Sequence, residues 1–251
     1  MKNTERFSKT VGHYQSYRPN YPKEMLDFLL TNKILSNDKI IADIGSGTGI
    51  FSQQLLRLGL KVFAIEPNKA MREFAEQQLT DDANFVSING AAEQTTLLDD
   101  SVDVISVATA FHWFDRQACR KEFKRILRDE GYVLLFWNLR LPELALVLQD
   151  YEQVLRHYCP TYKGIPSQQI CETEILNFFA KYSGKIYNFS NQQTFNLEGL
   201  IGRLHSTSYS LRPEQPNYDK MIDAITQVFN RHQKNGQLVF PYTTKLYLGK
   251  L

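Results

Sequence analysis

The segment IADIGSGTGIF, residues 41–51, constrains the fold more than any other. An apolar run passes through the acid Asp43 into glycines at positions 45, 47 and 49, and helical spacing resumes at Ile50. A buried strand must therefore end in a loop whose backbone is approached closely before a helix begins. Loops of that kind sit at the carboxyl ends of strands in open α/β sheets, and the flanking sequence carries such a sheet on. KIIADI reads as a strand, Ile50 to Leu58 as a helix, KVFAIE as a second strand and Asn68 to Leu79 as a second helix. NFVSI and VDVISVA read as strands three and four, Arg116 to Leu127 as a helix and GYVLLFW as strand five. Short apolar runs alternating with helical patterns predict βαβ units and a mostly parallel sheet with helices on both faces.

The flanks are different in kind. Residues 1–35 are expected to form an aromatic, polar segment, including HYQSYRPNYP, and a short helix with Pro22 in its first turn and Leu26, Leu29 and Leu30 inward. Residues 36–140 form the ligand-binding core in this reading. In residues 141–251, Leu144, Val147, Leu148, Tyr151, Val154, Leu155 and Tyr158 share one helical face. Further helices are expected from Gln168 to Lys181, over LEGLIGRLHSTSY and from Tyr218 to Phe229. GKIYNFS and QLVFPYTTKLYLGKL read as strands, the second placed at an edge or bulge by Pro241. No stretch rich in Gly, Ser or Pro cuts the chain, so residues 1–251 are expected as one domain with the later helices as a cap.

Totals narrow the function classes. Of the 251 residues 43% are hydrophobic, enough for a large core, and the net charge of +2 marks neither a nucleic-acid surface nor a membrane patch. Cys119, Cys159 and Cys171 lack metal or redox spacing and are expected as reduced thiols in a cytoplasmic protein. MKNTERFSKT has no apolar h-region, so no secretory leader is expected, and no apolar run is long enough to span a bilayer.

The glycine loop itself discriminates between ligands. A phosphate-binding P-loop needs Gly-Lys-Ser/Thr, but Gly49 is followed by Ile50 and Phe51. The dinucleotide fingerprint needs a glycine where Ile50 stands. Asp43, two residues before the first glycine, would repel a pyrophosphate and suits a ligand with positive charge. Glu66 ends the second strand, where an acid can accept both hydroxyls of a ribose. A ribose, a cationic group and no pyrophosphate together describe S-adenosylmethionine.

On these residues the chain resembles the class I S-adenosylmethionine-dependent methyltransferases, in particular their type 11 small-molecule branch. DIGSGTG is similar to that family's first motif, IEPNKAM to its ribose segment, NGAAEQTTLLDDSVDVI to its adenine segment and ATAFHWFD to the segment after strand four. The resemblance implies a Rossmann-like seven-stranded sheet with the last strand antiparallel. It also implies that Gly45, Gly47 and Gly49 approach the methionine moiety, Asp43 orients its ammonium and Glu66 holds the ribose. Met71, Ala92 and Glu93 would lie by the adenosine, Thr109 at the end of strand four, and Tyr14 and Arg18 around the methionine end or the substrate. Ala91 stands where the family often carries an acid beside the adenine amino group.

Metal-independent in-line methyl transfer to a small molecule is the function expected from this resemblance. Two roles stay open for His112, general base or loop anchor, and two for Trp113, pocket wall or core. Arg203 and Tyr209, in GRLHSTSYS, form either a fork for an acceptor carboxylate or a solvated helix face. Three rivals are a nucleic-acid base methyltransferase, a binding protein without methyl transfer and a nicotinamide-dependent oxidoreductase. The first draws on the cations of RQACRKEFKRILR, but the strand-four loop lacks an Asn/Asp-Pro-Pro-Tyr/Phe pattern and no Pro-Cys nucleophile is present.

Overall fold

The computed structural model of the chain describes residues 17–164, 171–181 and 183–251. Helix α1 (Lys23–Thr31) follows Pro22 and buries Met25, Leu26 and Leu29. Strand β1 (Ile40–Ile44), helix α2 (Ile50–Leu56), strand β2 (Lys61–Ile65), helix α3 (Lys69–Leu79) and strand β3 (Phe85–Ile88) come next. The chain then recrosses to strand β4 (Val102–Ala108), helix α4 (Arg116–Ile126) and strand β5 (Leu127–Leu139). Helices α5 (Leu146–Tyr158) and α6 (Glu172–Leu176) precede strand β6 (Lys185–Phe195). Helices α7 (Leu197–His205) and α8 (Tyr218–His232) lead to strand β7 (Leu238–Gly249).

The seven strands form one sheet in the order β3-β2-β1-β4-β5-β7-β6. Strands β1 to β5 pair in parallel, and β7 lies antiparallel between β5 and β6. The expected architecture, a mostly parallel sheet with an antiparallel last strand, is therefore the one observed. Strand order reverses between β1 and β4, where an open α/β sheet leaves a crevice at its carboxyl end.

Period-two alternation divides the sheet residues between two cores. Ile41, Val104, Leu134 and Phe136 face α1 and α2, while Ala42, Ile105, Val133 and Leu135 face α4 and Phe178–Phe179. A third cluster belongs to the second half: Leu148, Tyr151 and Leu155 of α5 pack with Leu204 of α7, Ile225 of α8 and Phe240 of β7.

Three expectations need correction. Leu144 is exposed, because α5 starts only at Leu146 after a 3-10 turn over Pro142–Leu144. Within the expected helix 168–181, the described helix spans only Glu172–Leu176; residues 168–170 lie outside the described residues. Strand β7 is internal, yet Pro241 fits: the β5 ladder ends at Leu139–Thr243, so only Gln192 of β6 pairs with the proline. No described helix is long and apolar enough to cross a membrane. All three cysteines are free, with Cys119 and Cys159 buried.

Candidate active site

The loop after β1 is built by close approach. Gly45 has φ +68°, and a Cβ there would lie 2.7 Å from that of Ala110 in the loop after β4. Gly47 has φ +58° but nothing within 3.9 Å of its missing Cβ, so its outer side is open. The Gly45 and Ser46 N–H groups donate to the Ile65 carbonyl at 2.9 and 3.1 Å, tying the loop to the end of β2.

Glu66, which follows β2, completes this loop. Its two carboxylate oxygens accept from Gly47 N–H at 2.9 Å and from Asn68 N–H at 2.7 Å. The side chain is almost wholly buried, and burial raises its pKa against the pull of those two N–H donors. Asn68 caps α3 by accepting from Met71 N–H at 3.1 Å, which sets Met71 beside Gly47. Asp43 lies beneath the loop with no exposed surface, accepting from Ser52 Oγ at 2.6 Å and Ser106 Oγ at 3.0 Å. Burial pushes its pKa up to about 6. Asp43 is not among the residues that line the cleft above the loop.

A cleft opens over this loop. It is lined by Gly45, Ser46, Gly47 and Thr48, by Ala108 and Thr109 at the end of β4, and by Arg18, Tyr21, Asn138 and Arg203. Thr109 has φ +58°, a strained value for a β-branched residue that costs on the order of 1–3 kcal/mol. Its N–H donates to the Phe136 carbonyl at 2.8 Å and its hydroxyl lies 3.0 Å from Tyr21 Oη.

Residues 17–21 cross the cleft as a strap. Tyr21 and Gln54 of α2 exchange two hydrogen bonds of 2.9 and 2.8 Å, and the Tyr21 ring packs edge-on against Phe51 and Phe136. Asn191 donates to the Asn20 carbonyl at 2.7 Å and to Asn138 Oδ1 at 3.0 Å. Arg18 Nη2 donates to the Ser206 carbonyl at 3.1 Å, joining the strap to the end of α7.

The remaining expected residues are distributed unevenly. Ala92 is buried in the core under the adenine segment, and Glu93 accepts from Asp115 N–H at 2.9 Å, at the start of α4. His112 sits in a 3-10 turn over Phe111–Trp113 and accepts at Nδ1 from Trp137 Nε1 at 3.5 Å. That bond leaves the ring proton on Nε2. Burial, helped by the Arg18 charge, pushes the His112 pKa down to about 4, so the ring is neutral and weakly basic at pH 7. Trp113 is exposed and its ring centroid lies 4.7 Å from that of His112; it is not a core residue. Tyr14 lies outside the described residues.

Arg203 overturns the solvated-face alternative. Only 4% of it is exposed, and it donates to Tyr242 Oη at 3.1 Å and Ser206 Oγ at 3.3 Å. Tyr209 Oη accepts from Arg140 Nη2 at 3.2 Å. Sequence reasoning missed Arg140, Asn138 and Gln54, which carry no motif and reach the site only through packing. By contrast, four of the six cations of α4 and its end are engaged. Arg116, Arg125 and Arg128 pair with Glu174, Asp99 and Asp103, and Arg120 donates to the Phe178 carbonyl.

Comparison with known proteins agrees with this geometry. The sequence pattern of a family described as "Methyltransferase domain" matches residues 42–135. An uncharacterized methyltransferase of Mycobacterium tuberculosis is 30% identical over 242 residues, covering 95% of this chain and 92% of that one. Among solved structures, a putative type II methyltransferase from Anaeromyxobacter dehalogenans superposes with a TM-score of 0.64 at 19% identity, over 93% of this chain and 96% of that one. A Haemonchus contortus N-methyltransferase, solved with phosphomonomethylethanolamine and S-adenosylhomocysteine, has the same fold at a TM-score of 0.58 and 15% identity. It aligns over 99% of this chain and 58% of its own.

Proposed function

The chain belongs to the class I S-adenosylmethionine-dependent methyltransferases, and from that premise we propose that the cleft over Gly45–Gly49 takes S-adenosylmethionine and serves methylation of a small-molecule acceptor. The observation that carries this reading is Glu66, a nearly buried acid joined to Gly47 N–H beside the open side of that glycine. Its carboxylate has lone pairs left for a ribose diol. A pyrophosphate in the same place would meet two carboxylates, Glu66 and Asp43, already close enough to raise each other's cost of ionisation.

The chain's own groups fit the cofactor from end to end. Glu66 holds the ribose, Met71, Ala92 and Glu93 border the adenine, and Arg18 takes the carboxylate of the amino-acid tail. Asp43 offers its ammonium a negative field, and Thr109 packs at the end of β4. When bound, the cofactor supplies a methyl group activated by a positive sulfur, which an acceptor displaces without metal or covalent intermediate. The protein's part is to align the acceptor and exclude water. The strap of residues 17–21, tied to α2, β5, β6 and α7, does both. His112, neutral and protonated at Nε2, serves better as an anchor or donor than as a base. The engaged cations of α4 leave little of the positive stripe a nucleic acid would need.

Isothermal titration tests the cofactor half of this reading. S-adenosylmethionine and S-adenosylhomocysteine are expected to bind and nicotinamide dinucleotides are not; the reverse result overturns it. Formation of S-adenosylhomocysteine with the low-molecular-mass fraction of a cell extract, and none with its nucleic acid, is the outcome expected for the acceptor half. Binding with no turnover in any fraction would leave a binding protein instead.

A further inference from the structure

Two guanidiniums are buried in the second half of the chain without an acid to balance them. Arg140, at the end of β5, is 6% exposed and Arg203 of α7 is 4% exposed. Among the described residues neither lies within ion-pair distance of a carboxylate. Their partners are neutral oxygens. Arg140 Nη2 donates to Tyr162 Oη at 3.3 Å and Tyr209 Oη at 3.2 Å, and its Cζ lies 5.2 Å from the centre of the Tyr151 ring. Arg140 Nη1 and Tyr151 Oη are buried with no hydrogen-bond partner among the described residues. The two arginines share Tyr151, Tyr209 and Tyr242 as electrostatic neighbours, and Arg203 also feels the Arg140 charge.

An uncompensated buried cation is costly, and one with an orphaned donor more so. A folded chain keeps such a pair where a ligand supplies the missing anion. Position supports the same conclusion: Arg203 lines the cleft that holds the glycine loop. Glu152 stands one tyrosine behind the pair, accepting from Tyr162 Oη at 2.6 Å, but it is already paired with Arg156 at 2.9 Å and so leaves the two guanidiniums unbalanced.

Resting on the methyl-transfer reading above, we propose that Arg140 and Arg203 are the recognition site for the acceptor, and that the acceptor is a small carboxylic acid. Guanidinium forks match carboxylates in geometry, and in a dry, tyrosine-lined setting the match is strong.

The test is thermal unfolding of the full chain, with and without S-adenosylhomocysteine, titrated with hexanoate, succinate and glutarate. The corresponding amides and inorganic phosphate serve as controls at equal ionic strength. At least one acid is expected to raise Tm saturably, and the amides and phosphate to leave it unchanged. Arg203→Met and Arg140→Met should each weaken the acid response at least tenfold, and Arg140→Met, which lies outside the lining of the cofactor cleft, should keep S-adenosylhomocysteine affinity within twofold. Should a methionine variant fail to fold, Arg203→Lys and Arg140→Lys carry the test, with the response reduced at least threefold. No response to any acid, an equal response to amides or phosphate, or an undiminished response in the variants overturns the proposal. Cofactor affinity is read separately, so failure here with cofactor binding intact leaves the proposed function standing.

Discussion

The two sides of the cleft handle buried charge in opposite ways. On the glycine-loop side the buried charges are acids, and every oxygen is met: Asp43 by two serine hydroxyls, Glu66 by two backbone N–H groups. On the cap side they are cations, met by tyrosine and serine hydroxyls, with Arg140 Nη1 left over. The first side is finished without a ligand; the second is not. A site that completes itself can be rigid and common to every turnover, as a cofactor cradle must be. A site with an unmet donor discriminates, because a ligand lacking the matching group leaves that donor unpaired.

The largest expected effect attacks the finished side. Gly45→Ala puts a Cβ 2.7 Å from Ala110 at a left-handed φ. It should cost about 2–4 kcal/mol of stability, the sum of a left-handed backbone penalty and local overpacking. Urea unfolding measures this, and a wild-type midpoint would show that the loop yields freely. Asp43 sets the next effect. Its folded pKa, about 6, lies above that of an unfolded aspartate, so its contribution is fully present below about pH 4 and is lost as pH rises through about 6. Unfolding free energies over that window should fall by roughly 1–3 kcal/mol more in the wild type than in Asp43→Asn. Parallel curves would mean that the serines, not burial, dominate its ionisation.

Glu66→Ala should weaken S-adenosylmethionine binding by at least ~1 kcal/mol, the size of a charge-assisted hydrogen bond, with Glu66→Gln between it and the wild type. Unchanged affinity in titration calorimetry would remove Glu66 from the cofactor site. The smallest effect sharpens the contrast from the cap side. Tyr151→Phe removes a buried hydroxyl that meets no partner, so stability should stay level or rise by up to about 1 kcal/mol. A clear loss in the same unfolding assay would mean that the hydroxyl is satisfied and the cap side is as finished as the other.

Legibility divides along the same line. Gly45, Gly47, Gly49, Asp43 and Glu66 lie within one βαβ unit, whose parallel pairing brings the carboxyl ends of β1 and β2 side by side. Motif reasoning therefore placed them around one loop. Spacing along a strand does not reveal that the Asp43 side chain is wholly buried against two serine hydroxyls. His112 was located but not its environment: burial and the Trp137 indole, 25 residues away along the chain, decide its proton. For Arg203 the helical pattern left two faces open, and only contact with Tyr242 of β7 and Ser206 shows that it points inward. Arg140 carried no signal, because its tyrosine partners lie 22 and 69 residues further along the chain.

The sequence by itself determined the alternating sheet, its glycine loop, the acid after β2 and the class of ligand they suit. These depend on local periodicity, backbone freedom and short-range spacing, which a chain carries wherever it goes. Only the tertiary structure decided which polar groups lose their water: Asp43 under the loop, the His112 ring against Trp137, and two arginines among tyrosines drawn from α5, β7 and the turns around them. Desolvation depends on everything packed around a group, and no stretch of chain holds that information alone.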